Sequence, residues 1–106
     1  MAIVGEGDFR YELDETWPNI PEGWELSLCS DVAVDSRDRV YVFNRGPDPM
    51  MIFDRDGNFL ETWGSGEYIR PHGVYAMPDG NLLVIDDKNH VVKKTTALGE
   101  VLMTLG

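Results

Sequence analysis

The sequence repeats itself with a period of 42 residues. Displaced by that amount, the run Val32-Ala-Val-Asp-Ser-Arg-Asp-Arg-Val-Tyr-Val-Phe falls on Val74-Tyr-Ala-Met-Pro-Asp-Gly-Asn-Leu-Leu-Val-Ile. Gly57 then falls on Gly99, Leu60 on Leu102, Thr62 on Thr104 and Gly64 on Gly106, without a gap. Few residues are identical, but apolar runs and turns recur in step. No other feature constrains the chain as much. A repeat of this size cannot bury its apolar surface alone and has to stack on its neighbours.

Each repeat holds four short strand-like runs. They span 31–35, 40–44, 50–54 and 59–63 in the first repeat, and 73–77, 82–86, 91–95 and 101–105 in the second. Ser36-Arg37-Asp38 and Pro78-Asp79-Gly80 read as tight turns, 45–49 and 87–89 as wider ones. Asp56-Gly57-Asn58 and Leu98-Gly99 close hairpins, where glycine takes a positive φ without cost. No segment has a helical period, so the expected class is all-β. Four strands in a unit of roughly 40–45 residues make a propeller blade. The expected organisation is a lead at 1–29, a first blade at 30–64 and a second at 65–106. Within the lead, 9–13 alternates apolar and polar residues and reads as one further strand. Pro18, Pro21 and Gly23 then form a loop bracketed by Trp17 and Trp24, which read as packing residues.

Charge narrows the partners. Nineteen acidic residues stand against nine Lys and Arg, a net charge of −10. Such a chain repels phosphate backbones, which argues against nucleic acid and anionic membranes and favours cations or basic peptides. No segment resembles a signal peptide, and no apolar run approaches the ~18 residues a membrane-spanning helix takes. The compartment is left open. Cys29 is the only cysteine, so no intrachain disulfide forms and the fold rests on its core. Cys29 reads as a small buried apolar residue.

Two blades do not close a propeller, since each blade has two faces to pack. Two stacked blades would bury one shared interface and leave two large apolar faces in water. Propellers have about 4–8 blades, and three copies of this chain would give six in a closed cyclic ring. The expected partner is therefore the chain itself, as a homotrimer. The strand at 9–13 would then pair with the outer edge of a neighbouring copy's last blade.

The motifs Val-Ala-Val-Asp-Ser-x-Asp-x-Val-Tyr-Val, Ile-Phe-Asp-Arg-Asp-Gly-Asn-Phe-Leu and Trp-Gly resemble the NHL repeat. Val40-Tyr-Val-Phe-Asn-Arg-Gly followed by Ile69-Arg-Pro-His-Gly-Val looks more specifically like the peptidyl-α-hydroxyglycine α-amidating lyase family and its bacterial relatives. The likeness spans nearly the whole chain, including the Gly-Asp-Phe-Arg-Tyr-Glu segment of the lead. It implies a six-bladed propeller that cleaves a peptidyl α-hydroxyglycine into a peptide amide and glyoxylate. It implies a zinc held by three histidines in the central channel, with a structural calcium deeper inside. His72 matches one zinc histidine, and Arg45 matches an arginine that binds and polarises the substrate. Val32 and Val74 match positions whose backbone carbonyls hold calcium. The remaining zinc histidines, a catalytic tyrosine and a calcium aspartate belong to later blades and have no counterpart here.

The residues carry a chemical reading of their own. His72 opens the first strand of its repeat, where the first repeat has Ser30. Arg45 ends the second strand of the preceding repeat, so His72, Arg45, Asp86 and Asp87 should share one rim. One imidazole is a poor zinc site, because zinc takes about four ligands. Three copies would bring three His72 side chains to a channel. Three Arg45 guanidiniums would follow and would suit a carboxylate, such as that of a peptide ligand in the channel, through bidentate hydrogen bonds. The alternatives are a His72 that only hydrogen-bonds and an Arg45 spent in an ion pair with Asp86 or Asp87. His90 reads as a solvated turn residue, and Asp54-Arg-Asp-Gly-Asn as a hairpin turn rather than a calcium loop. Tyr75 and Tyr41 are the only candidates for an improvised catalytic tyrosine, and strand packing explains both. Two functions follow as expectations. The first is a self-assembling two-blade fragment of a lyase-like NHL propeller, inactive alone. The second is a non-enzymatic propeller scaffold or interaction module.

Overall fold

The structure, a computed structural model, describes residues 2–106. Among them are ten strands and no helix. Strands β1 (Ile3–Glu6) and β2 (Phe9–Glu12) form a two-stranded hairpin. Strands β3 (Cys29–Val34), β4 (Val40–Asn44), β5 (Met50–Phe53) and β6 (Phe59–Trp63) form a first antiparallel sheet in that order. Strands β7 (Pro71–Ala76), β8 (Leu82–Asp86), β9 (Val91–Thr95) and β10 (Val101–Leu105) form a second with the same order. The all-β expectation holds, and the repeat is visible in space. β7, β8 and β10 each begin 42 residues after β3, β4 and β6.

β3 and β7 begin two residues earlier than the alternation indicates. Each carries a β-bulge near its start, between Cys29 and Asp31 and between Pro71 and Gly73. Ser30 and His72 are the extra residues, and a bulge interrupts the two-residue period by which strands are read. Cys29 is exposed at this uncovered strand start, not buried as expected. Its thiol donates only to the Ser27 carbonyl, at 3.4 Å.

The two sheets pack face to face. Tyr41 and Phe43 of β4 and Met50 and Ile52 of β5 meet Val74 of β7 and Leu82 and Val84 of β8. Trp63 and Tyr68, at and after the end of β6, close the flank of this cluster. Phe43 meets Tyr68 edge to face, with centroids 5.4 Å apart. Removing each of these large side chains from water contributes on the order of 1.5–3 kcal/mol.

The lead departs from expectation in two ways. It holds two strands instead of one, and its loop covers the β4, β5 and β6 part of the far face of the first sheet. There Trp17 and Leu26 pack on Val42, Met51 and Phe53. Trp24 stacks on Phe59 with centroids 5.5 Å apart. β4 and β5 are therefore buried on both faces, whereas β8 alternates buried and half-buried residues. The outer face of the second sheet is left open, and on the far face of the first sheet the β3 residues Val32 and Val34 stay exposed beside the covered part.

The lead reproduces the second sheet's flank. The Trp17 indole N–H donates to the Arg55 carbonyl at 3.1 Å, and the Trp63 indole N–H donates to the Ala97 carbonyl at 3.0 Å. Arg55 and Ala97 are one repeat apart. Each indole lies over a hairpin glycine, Gly57 or Gly99, where any Cβ would strike the ring. Trp17→Ala is expected to lower stability by about 2–4 kcal/mol, read from the denaturant midpoint, because it uncovers the Met51 and Phe53 face. A second prediction concerns the tight turns. Gly80 takes φ +89°, and its counterpart Asp38 takes φ +59°. Asp38→Gly should raise stability by about 0.5–1 kcal/mol by relieving the left-handed conformation.

Candidate functional site

One end of the sheet pair collects the ends of β4 and β8 and the starts of β3 and β7. The bulge gives His72 its place, turning an exposed imidazole out of the β7–β8 ladder. Its Nδ1 lies 3.6 Å from Asp87 Oδ2. Arg70 grips the same carboxylate with both arms, Nε to Oδ1 at 2.6 Å and Nη2 to Oδ2 at 3.0 Å. Arg70's hydrogen bonds hold the Asp87 carboxyl below the usual carboxylate range, and the charges of Arg70, His72 and Arg45 act in the same direction. Arg45 reaches across from the first sheet, and its Nε donates to the Pro71 carbonyl at 3.0 Å. Among the described residues it forms no ion pair, so the salt bridge to Asp86 or Asp87 weighed from the sequence is not made. The structure thus brings Arg45, His72 and Asp87 together, as the strand directions required.

Asp86 belongs to the frame of this rim. It is 1 % exposed and accepts hydrogen bonds from the Ile69, Arg70 and Asn89 backbone N–H groups and from the Asn89 side chain, at 2.8–3.3 Å. Burial pushes its pKa up, but those donors outweigh burial and hold it below the ordinary value. One repeat earlier Asn44 does the same work. Its side chain accepts from the Ser27 and Gly46 N–H groups and donates to the Asp48 and Pro49 carbonyls. Ser27 and Ile69 are equivalent, so each buried plug ties the incoming linker to the end of the second strand.

Val32 and Val74 lie on adjacent inner strands. Val74 is buried and Val32 is half-exposed. The Asp31 carboxylate joins them, accepting from the Val32 N–H at 2.8 Å and from the Val74 N–H at 3.0 Å. Both tyrosine candidates stand apart from the rim. Tyr41 is buried between the sheets, and its hydroxyl donates to Asp35 at 2.7 Å, at the opposite end. Burial, then that hydrogen bond, pushes its pKa up to about 12. Tyr75 is exposed on the open face of the second sheet. His90 sits in its turn at φ +58°, and Asp54 organises its hairpin by accepting from Asp56 and Asn58.

Sequence reasoning missed Arg70 and Asp31. Arg70 is two residues from His72 in the Arg-Pro-His-Gly motif, which was the available signal. Asp31 is the inner-strand residue that the repeat replaces by Gly73, a mismatch that marks a special role. Among the described residues no three His, Cys, Asp or Glu side chains converge as a metal site. A concavity of about 680 Å³ lies between the turns at the opposite end, lined by Asp35, Arg39, Asp79 and Glu100 among others, and no expected site residue borders it.

Asp86→Asn should cost about 2–3 kcal/mol, because an amide cannot accept from every donor the carboxylate serves. Asp86's folded-state pKa lies below the unfolded value of ~3.9. Its stabilisation is therefore complete above that value and is lost as pH falls through the folded-state pKa. Thermal melts from pH 6 to pH 2 should show a shallower acid-side loss in the variant than in the parent. No protein-family model matches the chain, and no curated protein matches it.

Proposed function

We propose that the chain is a two-blade unit of a six-bladed β-propeller that three copies close into a ring, with a rim of the amidating-lyase type. The observation that carries this reading is the asymmetry between the sheets. Leu83, Ile85 and Val92 of the second sheet occupy the places of Tyr41, Phe43 and Met50, one repeat apart, yet only the latter are buried. The second sheet offers the face by which the first sheet holds its successor, and a further blade would cover it.

The rim supports a carboxylate-binding role. Arg45 is fixed through Nε by the Pro71 carbonyl, which leaves its terminal nitrogens for a bidentate hydrogen-bonded pair with an anion. Such an arrangement suits the carboxylate of a peptidyl α-hydroxyglycine. A single copy supplies one imidazole, which does not fit a zinc site. A ring would bring three His72 side chains into the central opening. Zinc bound there would supply Lewis acidity and a bound water of lowered pKa. The Val32 and Val74 carbonyls would be the chain's share of a calcium site, well short of the 6–8 oxygens calcium takes. The lone chain is accordingly read as inactive.

A non-enzymatic propeller scaffold is the second reading, and the Arg70–Asp87 pair favours it. That pair satisfies both carboxylate oxygens and keeps Asp87 from serving a ligand. Two measurements separate the readings. Light scattering coupled to size exclusion should give about 36 kDa, three copies of the 12.0 kDa chain. A 12.0 kDa particle at all concentrations would overturn the ring. Metal analysis of the ring should give about one zinc per three chains, lost in His72→Ala at unchanged mass. A trimer without zinc would remove the lyase reading and leave the scaffold.

A further inference from the structure

The β1–β2 hairpin is folded against nothing. All eight of its strand residues are exposed, and neither strand contacts any other strand of the chain. Four of them are large and apolar or aromatic, Phe9 at 72 % and Tyr11 at 62 % exposure beside Ile3 and Val4, interspersed with Glu6, Arg10 and Glu12. An isolated two-stranded hairpin is at best marginally stable in water. At the other extreme of the fold, β10 is the outer edge of the second sheet, and all five of its residues, Val-Leu-Met-Thr-Leu, are exposed and uncharged. An unprotected apolar edge is a template for another strand.

The repeat relates the two. Trp63 ends β6 and covers the hairpin glycine of the next sheet. One repeat later the residue at that place is Leu105, so β10 brings no tryptophan to a following sheet. Trp17 makes the missing contact on the first sheet from within the lead. The segment that follows the hairpin thus stands where the end of a preceding sheet's last strand would stand. A hairpin just upstream of that segment would then lie near the outer edge of such a preceding sheet. The chain's own β10 is not there, because the second sheet packs on the opposite face of the first.

We propose that the β1–β2 hairpin is an exchange arm, and that it adds to the free edge of β10 in a second copy of this chain. The proposal rests on the two-blade reading and specifies its contact: backbone hydrogen bonds extend the second sheet of the receiving copy. Each copy donates one arm and accepts one.

Two full-length variants test it by complementation. Val4→Pro/Tyr11→Pro breaks the arm at a paired position and leaves β10 intact. Leu102→Pro blocks the edge at the bulged residue, which has no register partner in β9, and leaves the arm intact. Each variant alone should be a monomer by light scattering, and an equimolar mixture should give a 1:1 complex. Amide exchange across Val101–Leu105 should be slow in the parent assembly and fast in the arm variant. If Leu102→Pro fails to fold, Leu102→Lys blocks the same edge by charge. An arm variant that keeps the parent's mass and exchange protection overturns the arm while leaving a ring built on sheet faces standing. Folded variants that do not associate when mixed also overturn it. A parent that is monomeric at all concentrations overturns both the arm and the ring.

Discussion

Everything in this fold depends on the apolar seam between the two four-stranded sheets. A single such sheet has too little buried surface to offset the entropy of ordering its strands. Stacking Tyr41, Phe43, Met50 and Ile52 on Val74, Leu82 and Val84 provides it. The seam also fixes the distance between β3 and β7, and that distance makes Asp31 a link between sheets. It lets Arg45, anchored in the first sheet, use the Pro71 carbonyl of the second as its support. The placement of Arg45 at the rim is a by-product of core packing, whereas Arg70, His72 and Asp87 are positioned within the second repeat.

The buried plugs Asn44 and Asp86 solve one problem with two chemistries. Each linker enters at a strand end where backbone N–H groups would otherwise lie unpaired, and a buried unpaired donor costs about 1–3 kcal/mol. In the first repeat an amide accepts from one side of the turn and donates to the other. In the second repeat an Asn89 side chain supplies donors, so a carboxylate serves instead. That exchange puts a negative charge directly under Arg70, and the His72 rim is built around its neighbour Asp87.

Much of this was legible in the sequence. The period, the four-strand unit and the bounds of β4, β6, β8, β9 and β10 follow from alternation and turn residues, which are local properties. The nearness of His72, Arg45 and Asp87 followed from antiparallel strand direction alone. What was not legible depends on contacts between distant segments. The bulges at Ser30 and His72 leave no mark in a two-residue pattern. The burial of both faces of β4 and β5 comes from Trp17 and Leu26, whose loop has no periodic signature. Arg45's partner could not be guessed, because a backbone carbonyl carries no residue identity.

The proposed exchange gives the assembly a direction. Arm and edge lie at opposite ends of the chain, so each copy added presents a fresh edge, and growth has no intrinsic stop. Only the rotation per copy decides the outcome: an angle that divides the circle evenly ends in a ring, and any other angle winds into a filament. That rotation is set in part by side-chain bulk at the seam, where Tyr41 and Phe43 face Val74 and Val84. Core volume, ordinarily a matter of stability, would here act as a gauge of curvature, and a smaller side chain in the seam would change the shape of the polymer before it unfolded the chain.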